Sequence, residues 1–303
     1  MLRPRLRIPR VGSLLRQQPL AFSRAAHYVP RLDQFHPEEG VPGLLSPQAY
    51  DIAWTKYMDH VIEKLGDLTA GTEYEQFDTK TILQNTAREA HLAPLFNYAS
   101  MAHNNTLFFQ NLLNLRAWEA QKQSEGGNPA EMTYKERIPG QLRNQLEQNF
   151  SSVETLRREL LSTALGMFGP GFVWLVKNDR SSEYRILTTY LAGTPYTAGH
   201  WRRQGVDMNT SSGDVDTVKG YHERQQTGAG ADNGARFTRA PGGTDVIPVL
   251  CLNTWEHVWL PDNGFELGGV GGKRMYVEKW WDCIDWHKVN GLANGAGHDK
   301  FKS

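Results

Sequence analysis

The stretch Leu252-Asn253-Thr254-Trp255-Glu256-His257-Val258-Trp259 places an amide, a carboxylate and an imidazole close together in the chain. The apolar run of residues 246–252, which leads into it, is typical of a buried strand. Imidazoles and carboxylates bind metal ions, whereas the neutral amide of Asn253 brings no charge to a cation. The sequence therefore indicates a polar site at the end of a strand, with one position poorly suited to a metal.

Helical patterns dominate the first half of the chain. Residues 46–65 carry apolar side chains at spacings of three and four, and Ser46 with Pro47 forms a cap and first-turn pair. A second helical pattern covers residues 81–115. Two helices joined by a loop predict an antiparallel hairpin.

The second half predicts helices packed on a small sheet. Residues 151–154 read Ser-Ser-Val-Glu, which matches a capping box whose cap is Ser151. Strands are predicted at 172–176, 184–190 and 246–252, followed by a closing helix rich in tryptophan. The fold class is therefore α+β, with an N-terminal α-helical hairpin and a C-terminal α/β domain that contains a small three-stranded sheet.

The N-terminus has a composition of its own. Residues 1–27 hold six arginines and no acidic residue, interleaved with leucine, isoleucine and valine. This amphipathic, basic composition predicts a mitochondrial targeting peptide; the alternative is a basic arm that binds RNA. Without those arginines the chain keeps 27 basic and 33 acidic residues, which argues against a protein whose whole surface binds nucleic acid.

Cys251 and Cys283 fit a reduced compartment, with Cys251 as a small core residue.

Several motifs, in order along the chain, resemble the iron/manganese superoxide dismutases. Residues 252–259 are similar to the family's metal-binding signature, in which an aspartate and a histidine flank Val-Trp-Glu. Residues 168–176 are similar to the family's stretch ending in FGSGWxWLV, and residues 96–106 resemble its FNNAAQxWNHT helix. The resemblance covers most of residues 45–115 and 138–290 and implies the same α+β fold.

The same resemblance implies that this chain has lost the family's metal site. The family holds its metal with three histidines and one aspartate. Carried over one at a time, the first position falls on Ala53, the second on Asn105 and the third, the aspartate, on Asn253; only His257 is kept. A methyl group and two neutral amides do not hold a redox metal. The resemblance therefore implies no metal, no other cofactor and no enzymatic activity.

Positions around the ligands are also altered. The family's second-shell histidine and gateway tyrosine fall on Tyr57 and Val61. Its active-site glutamine falls on Met101 or Ala192, neither of which can hydrogen-bond a metal-bound solvent. His103 is predicted to point to a different helix face and does not replace a lost ligand.

Glu256 and His257 are predicted to belong to a dimer interface. In the family this glutamate reaches across the dimer axis to the partner's ligand histidine, so its retention here implies pairing with a dismutase-like partner. The alternative is that Trp255, Glu256 and His257 preserve local packing, with His257 as a satisfied core or interface histidine. The sequence leaves both interpretations open.

Basic side chains suggest contacts with RNA. Residues 268–274 are not a phosphate-binding loop, because Leu267 and Arg274 stand where that pattern requires glycine and a hydroxyl. Arg274 and Tyr276 match a basic and tyrosine pair of the family and have a structural alternative. The candidate contacts to rRNA phosphates are Arg202, Arg203, Lys219, Arg224, Arg236, Arg239, Lys273 and Arg274. The alternative is that these charges are merely solvated.

A targeted dismutase fold without its metal site resembles the dismutase-like proteins of the small subunit of fungal mitochondrial ribosomes, two of which pair with each other. The resemblance implies a structural role in the mitochondrial matrix. The implied partners are a paralogous dismutase-like subunit, other mitoribosomal proteins and small-subunit rRNA, with no membrane contact. The alternatives are a dismutase with an altered metal site and a free matrix scaffold.

The predicted division of the chain follows from these patterns. It comprises a targeting peptide (1–27), an N-terminal extension (28–45), a helical hairpin (46–115), a polar insertion (116–137), the C-terminal domain (138–290) with a Gly-rich insertion (197–245), and a tail (291–303).

Overall fold

The computed structural model describes residues 27–87, 89–126, 136–179, 181–196 and 246–295. Residues 1–26 of the predicted targeting peptide, the Gly-rich insertion and residues 296–303 of the tail therefore lie outside the described residues. Within them, no helix is long and apolar enough to cross a membrane.

The helical half, residues 46–126, is built around one buried helix. Its elements are α1 (Pro47–Tyr50), a π-helical segment (Asp51–Lys56), α2 (Tyr57–Thr69), α3 (Thr79–Thr86), α4 (Ala93–Gln110) and α5 (Leu115–Ser124), with 3-10 turns at Glu73–Gln76 and Ala90–Leu92. The Ser46 hydroxyl accepts a hydrogen bond from the Ala49 amide, as the predicted cap requires. Most of α4 is buried, including several polar side chains such as Asn104 and Asn105, and the helix packs against both α2 and α3.

The predicted continuous helix over residues 81–115 is wrong. The chain leaves α3 at Thr86 and starts a new helix at Ala93, with Pro94 in its first turn. A proline inside a helix lacks the amide donor and clashes with the preceding turn, so the helix restarts there. A further helix, α5, begins after Asn114, whose side chain accepts from the Ala117 amide, and it extends into the predicted polar insertion.

The sheet half, described within residues 136–295, confirms the α+β class. Its elements are α6 (Gly140–Phe150), α7 (Val153–Gly166), β1 (Gly171–Asn178), β2 (Tyr184–Tyr190), β3 (Val246–Asn253), α8 (Glu256–Asn263), α9 (Gly272–Asp282) and α10 (Trp286–Ala293). The three strands form an antiparallel sheet in the order β2-β1-β3. The central strand β1 is buried on both faces over its first six residues, which explains its uninterrupted apolar sequence.

The cap of α7 is Ser152, so the predicted capping role of Ser151 is wrong. The Ser152 hydroxyl accepts from the Thr155 amide at 3.1 Å. Ser151 has a φ of 65°, in the left-handed region that ends α6. The short turn between α6 and α7 uses Ser151 to reverse the chain, and the cap moves one residue along.

The two halves meet along α4 and β3. The side-chain amide of Asn111 donates to the Val249 carbonyl at 3.3 Å, and the Asp285 amide donates to the Asn111 carbonyl at 2.8 Å. Cys251 on β3 is fully buried, as the sequence predicts. Because α4 and β3 are in contact, Asn253 at the end of β3 lies beside Asn105 of α4.

Candidate functional site

The positions singled out in the sequence come together where the two halves meet. Ala53 lies in the π-helical segment, Asn105 in α4, and Asn253 at the end of β3; all three are fully buried. His257 lies in the first turn of α8, one helical turn beyond Asn253. π-helical turns are rare and often occur at functional sites, and this one carries Ala53.

A chain of hydrogen bonds connects these residues. The Asn253 side-chain amide donates to the Asn105 side-chain oxygen at 3.1 Å, and the Asn105 amide donates to the Ala53 carbonyl at 3.1 Å. At the other end, the Asn253 side-chain oxygen accepts from the main-chain amide of Trp255 at 2.9 Å. The two amides thus satisfy each other in a buried setting, where an unpaired amide would be costly.

Tyr276 fixes the backbone at the same point. Its hydroxyl donates to the Asn253 carbonyl at 2.7 Å, and its ring is fully buried on α9. Burial raises the pKa of this phenol well above its usual value, so it stays neutral. The Tyr276 hydroxyl thus holds the end of β3 in place, and this supports the structural role that the sequence analysis gave as an alternative for Tyr276.

His257 is packed as a neutral aromatic ring. It stacks on Tyr57 with the ring centroids 4.5 Å apart and the planes 24° from parallel. Its Nε2 atom is buried and has no hydrogen-bond partner among the described residues. Burial lowers the pKa of His257 to about 4, so the imidazole is uncharged at neutral pH. The expectation of a satisfied core or interface histidine stays a prediction for this nitrogen.

The donor set does not fit iron or manganese. Among the described residues there is no group of three or more His, Cys, Asp or Glu side chains placed to hold a metal ion. At this site the two asparagine oxygens already accept hydrogen bonds, and Ala53 offers a methyl group and a carbonyl that is itself bonded. One imidazole remains, and a redox metal needs several nitrogen and carboxylate ligands together.

Met101 and Ala192, the two positions to which the resemblance assigns the family's glutamine, are buried apolar side chains. His103 is also buried, and its Nε2 lies 2.8 Å from the Tyr196 hydroxyl, away from the amide chain. Burial lowers the pKa of His103 to about 4, helped by the charge of Lys80. The sequence analysis did not anticipate this contact, since Tyr196 is distant in sequence and matches no motif.

Glu256, Lys273 and Arg274 lie on one side of the site. Burial lowers the pKa of the Lys273 amine, and the charge of Glu256 acts against this shift. The same amine donates to the Met167 carbonyl at 3.0 Å, and the Arg274 guanidinium donates to Glu266 at 3.3 Å. Lys273 and Arg274 thus already have contacts within the chain. The other six candidate RNA contacts, Arg202, Arg203, Lys219, Arg224, Arg236 and Arg239, lie outside the described residues.

A set of exposed apolar side chains was missed in the sequence analysis. Phe168 is 95% exposed, and the loop between α8 and α9 carries Phe265, Leu267 and Val270, which are 66–78% exposed. The bond from Lys273 to the Met167 carbonyl ties this loop to the residue before Phe168. We call these four side chains the apolar loop surface. An apolar surface of several neighbouring side chains is typical of a protein interface.

The chain is similar to dismutases and to ribosomal proteins. Residues 138–207 and 230–292 match the sequence model described as iron/manganese superoxide dismutases, C-terminal domain. Small ribosomal subunit protein mS43 of Schizosaccharomyces pombe is 29% identical over 263 residues, which cover 87% of this chain and 82% of that protein. Small ribosomal subunit protein mS42 of the same organism is 25% identical, with 69% and 70% of the two chains covered. The chloroplastic superoxide dismutase [Fe] 1 of Arabidopsis thaliana is 27% identical over 54% of this chain and 68% of its own length.

Proposed function

We propose that this chain, of which residues 138–207 and 230–292 match the iron/manganese superoxide dismutase C-terminal domain, is a non-catalytic, structural subunit of the mitochondrial small ribosomal subunit. Amides bonded to each other stand at the positions that the resemblance assigns to metal ligands. The observation that carries the proposal is the 3.1 Å hydrogen bond between the Asn253 amide and the Asn105 oxygen. Dismutation requires a metal that cycles between two oxidation states. Ala53, Asn105 and Asn253 at the ligand positions leave no such centre.

The similar proteins support the ribosomal part of the proposal. Both mS43 and mS42 of S. pombe are small ribosomal subunit proteins by name, and the alignment with mS43 spans most of both chains. The alignment with the Arabidopsis iron dismutase is shorter than both of these alignments, and its 27% identity lies below the 29% of mS43 and above the 25% of mS42. The basic segment of residues 1–27 is consistent with import into mitochondria, and we place the protein in the matrix.

The partner in this proposal is a second, paralogous dismutase-like subunit. Glu256 and His257 begin α8, and three of the four exposed side chains of the apolar loop surface lie in the loop that follows this helix. Interfaces between stable partners commonly have an apolar centre and charged groups at the rim. Other mitoribosomal proteins and small-subunit rRNA complete the proposed set of partners, through the predicted extension, insertions and tail.

A dismutase with an altered site and a free matrix scaffold are the competing functions. The first requires a bound metal, which the hydrogen-bonded amides disfavour. The second shares the fold and the lack of a metal and differs only in where the protein resides. Sedimentation therefore separates the free scaffold from the ribosomal subunit.

The proposal is tested by centrifuging a mitochondrial lysate through a sucrose gradient, with magnesium and moderate salt, and probing each fraction for this chain. We expect it to co-migrate with small-subunit rRNA. Chelating magnesium dissociates ribosomes, so under chelation the chain should move with the released small-subunit proteins. A peak at the size of a dimer, away from rRNA both with and without magnesium, would contradict the ribosomal role.

A further inference from the structure

We propose that the hydrogen bonds at this site form a one-way relay, from the Trp255 amide through Asn253 and Asn105 to the Ala53 carbonyl, which locks the helical half to the sheet half without a metal. This inference goes beyond the ribosomal role and does not depend on it. The central link, between Asn253 and Asn105, joins β3 to α4. Both residues are fully buried, so water does not compete for the link.

The relay has a fixed polarity because its two ends are main-chain groups. One end is the Trp255 N–H, which can only donate, and the other is the Ala53 carbonyl, which can only accept. Each side chain between them must therefore accept on one side and donate on the other. A primary amide does both, because it carries one oxygen and one NH₂ group.

An ionised carboxylate at position 253 breaks this polarity. It would still accept from the Trp255 amide, but its other oxygen would face the oxygen of Asn105. Rotating the Asn105 amide by half a turn would not remove the conflict, since its oxygen would then face the Ala53 carbonyl. The aspartate used by the metal-binding relatives is thus incompatible with Asn105 and Ala53 in this chain.

A protonated carboxyl group restores the polarity, because its O–H donates and its C=O accepts. The relay therefore predicts that the stability of an Asn253→Asp variant depends on pH, which simple packing at this position would not predict. In Asn253→Asp, the folded state should hold the proton more tightly than the unfolded state, so the folded pKa is raised. The variant should then be nearest to wild type at acidic pH and lose stability as the pH rises through that pKa.

The neighbouring titratable groups do not obscure this pH dependence. Tyr57, Tyr276 and Cys251 have raised pKa values, and the pKa of His257 is lowered to about 4. With these pKa values, the two phenols, the thiol and the imidazole are uncharged in the folded protein between pH 5 and pH 8. Comparing each variant with wild type at the same pH also cancels the titration of all shared groups.

The test is thermal unfolding of the full chain and of Asn253→Asp across this pH range, with Asn144→Asp as the matched control. Asn144 is exposed on α6. At pH 8 we expect Asn253→Asp to melt about 5–10 °C below wild type, and we expect that deficit to shrink as the pH falls. The control should follow wild type at every pH. A deficit that is absent, or that stays constant with pH, would overturn the relay.

A second set of variants applies if Asn253→Asp does not fold. Asn105→Ala, Asn253→Ala and the double variant form a cycle that measures the coupling of the two amides. The relay predicts that the second substitution shifts the melting temperature much less in the variant background than in wild type, because the link is already lost. Additive shifts would contradict it.

Discussion

At the scale of single residues, the proposal depends on Ala53, Asn105 and Asn253, whose polar groups favour hydrogen bonds to each other over metal binding. Ala53, Asn105 and Asn253, which the resemblance assigns to ligand positions, are connected by hydrogen bonds in the structure. The resemblance did not indicate that the two asparagines bond to each other. Such a bond joins residues 148 positions apart, and no local pattern records the orientation of a side-chain amide.

A prediction at the residue scale concerns the pH dependence of stability, to which His103 and His257 contribute. His103 and His257 have folded pKa values of about 4, below the value of about 6.5 in an unfolded chain. The unfolded chain therefore binds more protons between these values, so stability should rise with pH across this window and fall as the pH drops through it. Each histidine should contribute up to about 3 kcal/mol to that change.

The measurement is the free energy of urea unfolding at several pH values from 4 to 7.5. His103→Gln and His257→Gln should each reduce the slope, and the same substitution at the exposed His287 is the matched control. Equal slopes for wild type and both buried variants would refute this assignment.

At the scale of elements, periodicity predicted where strands and helices lie better than where helices begin and end. The strand predicted at residues 184–190 has the same bounds as β2, and it is rich in the β-branched and aromatic residues that favour strands. The helix predicted at 81–115 was wrong because its apolar spacing continues past Pro94. The cap of α7 was misplaced by one residue, because two adjacent serines fit the same pattern and only the φ of Ser151 distinguishes them.

The apolar loop surface could not be predicted from the sequence, because three of its members lie in a glycine-rich loop with no periodicity. We predict that Leu267→Ser weakens pairing with the dismutase-like partner by about tenfold or more, which is about 1.4 kcal/mol. Glu256→Ala should also weaken pairing if this face is the interface. Leu68→Ser is the matched control, since Leu68 is an exposed leucine on α2 in the helical half.

Pairing can be measured by sedimentation velocity of the purified chain mixed with its partner, with circular dichroism to confirm that each variant is folded. Wild-type affinity in both Leu267→Ser and Glu256→Ala would show that the partner binds elsewhere. Equal weakening by Leu68→Ser would show that the effect is not specific to this face.

At the scale of the whole molecule, hydrogen bonds between α4 and β3 join the helical half to the sheet half. The order of helices and strands and the three-stranded sheet follow from the family resemblance and were predicted from the sequence. The domain boundaries remain predictions. The means of joining the halves was not predictable, because it depends on how α4 and β3 meet in three dimensions.

The central claim is that this dismutase fold is complete without a metal. The most direct measurement is the iron and manganese content of the chain, purified natively from cells supplied with both metals, alongside an active dismutase prepared in the same way. We predict far less than one metal atom per chain, and the same melting temperature with and without a chelator, because a bound metal would stabilise the folded state. One iron or manganese per chain, with a melting temperature that falls on chelation, would contradict this account.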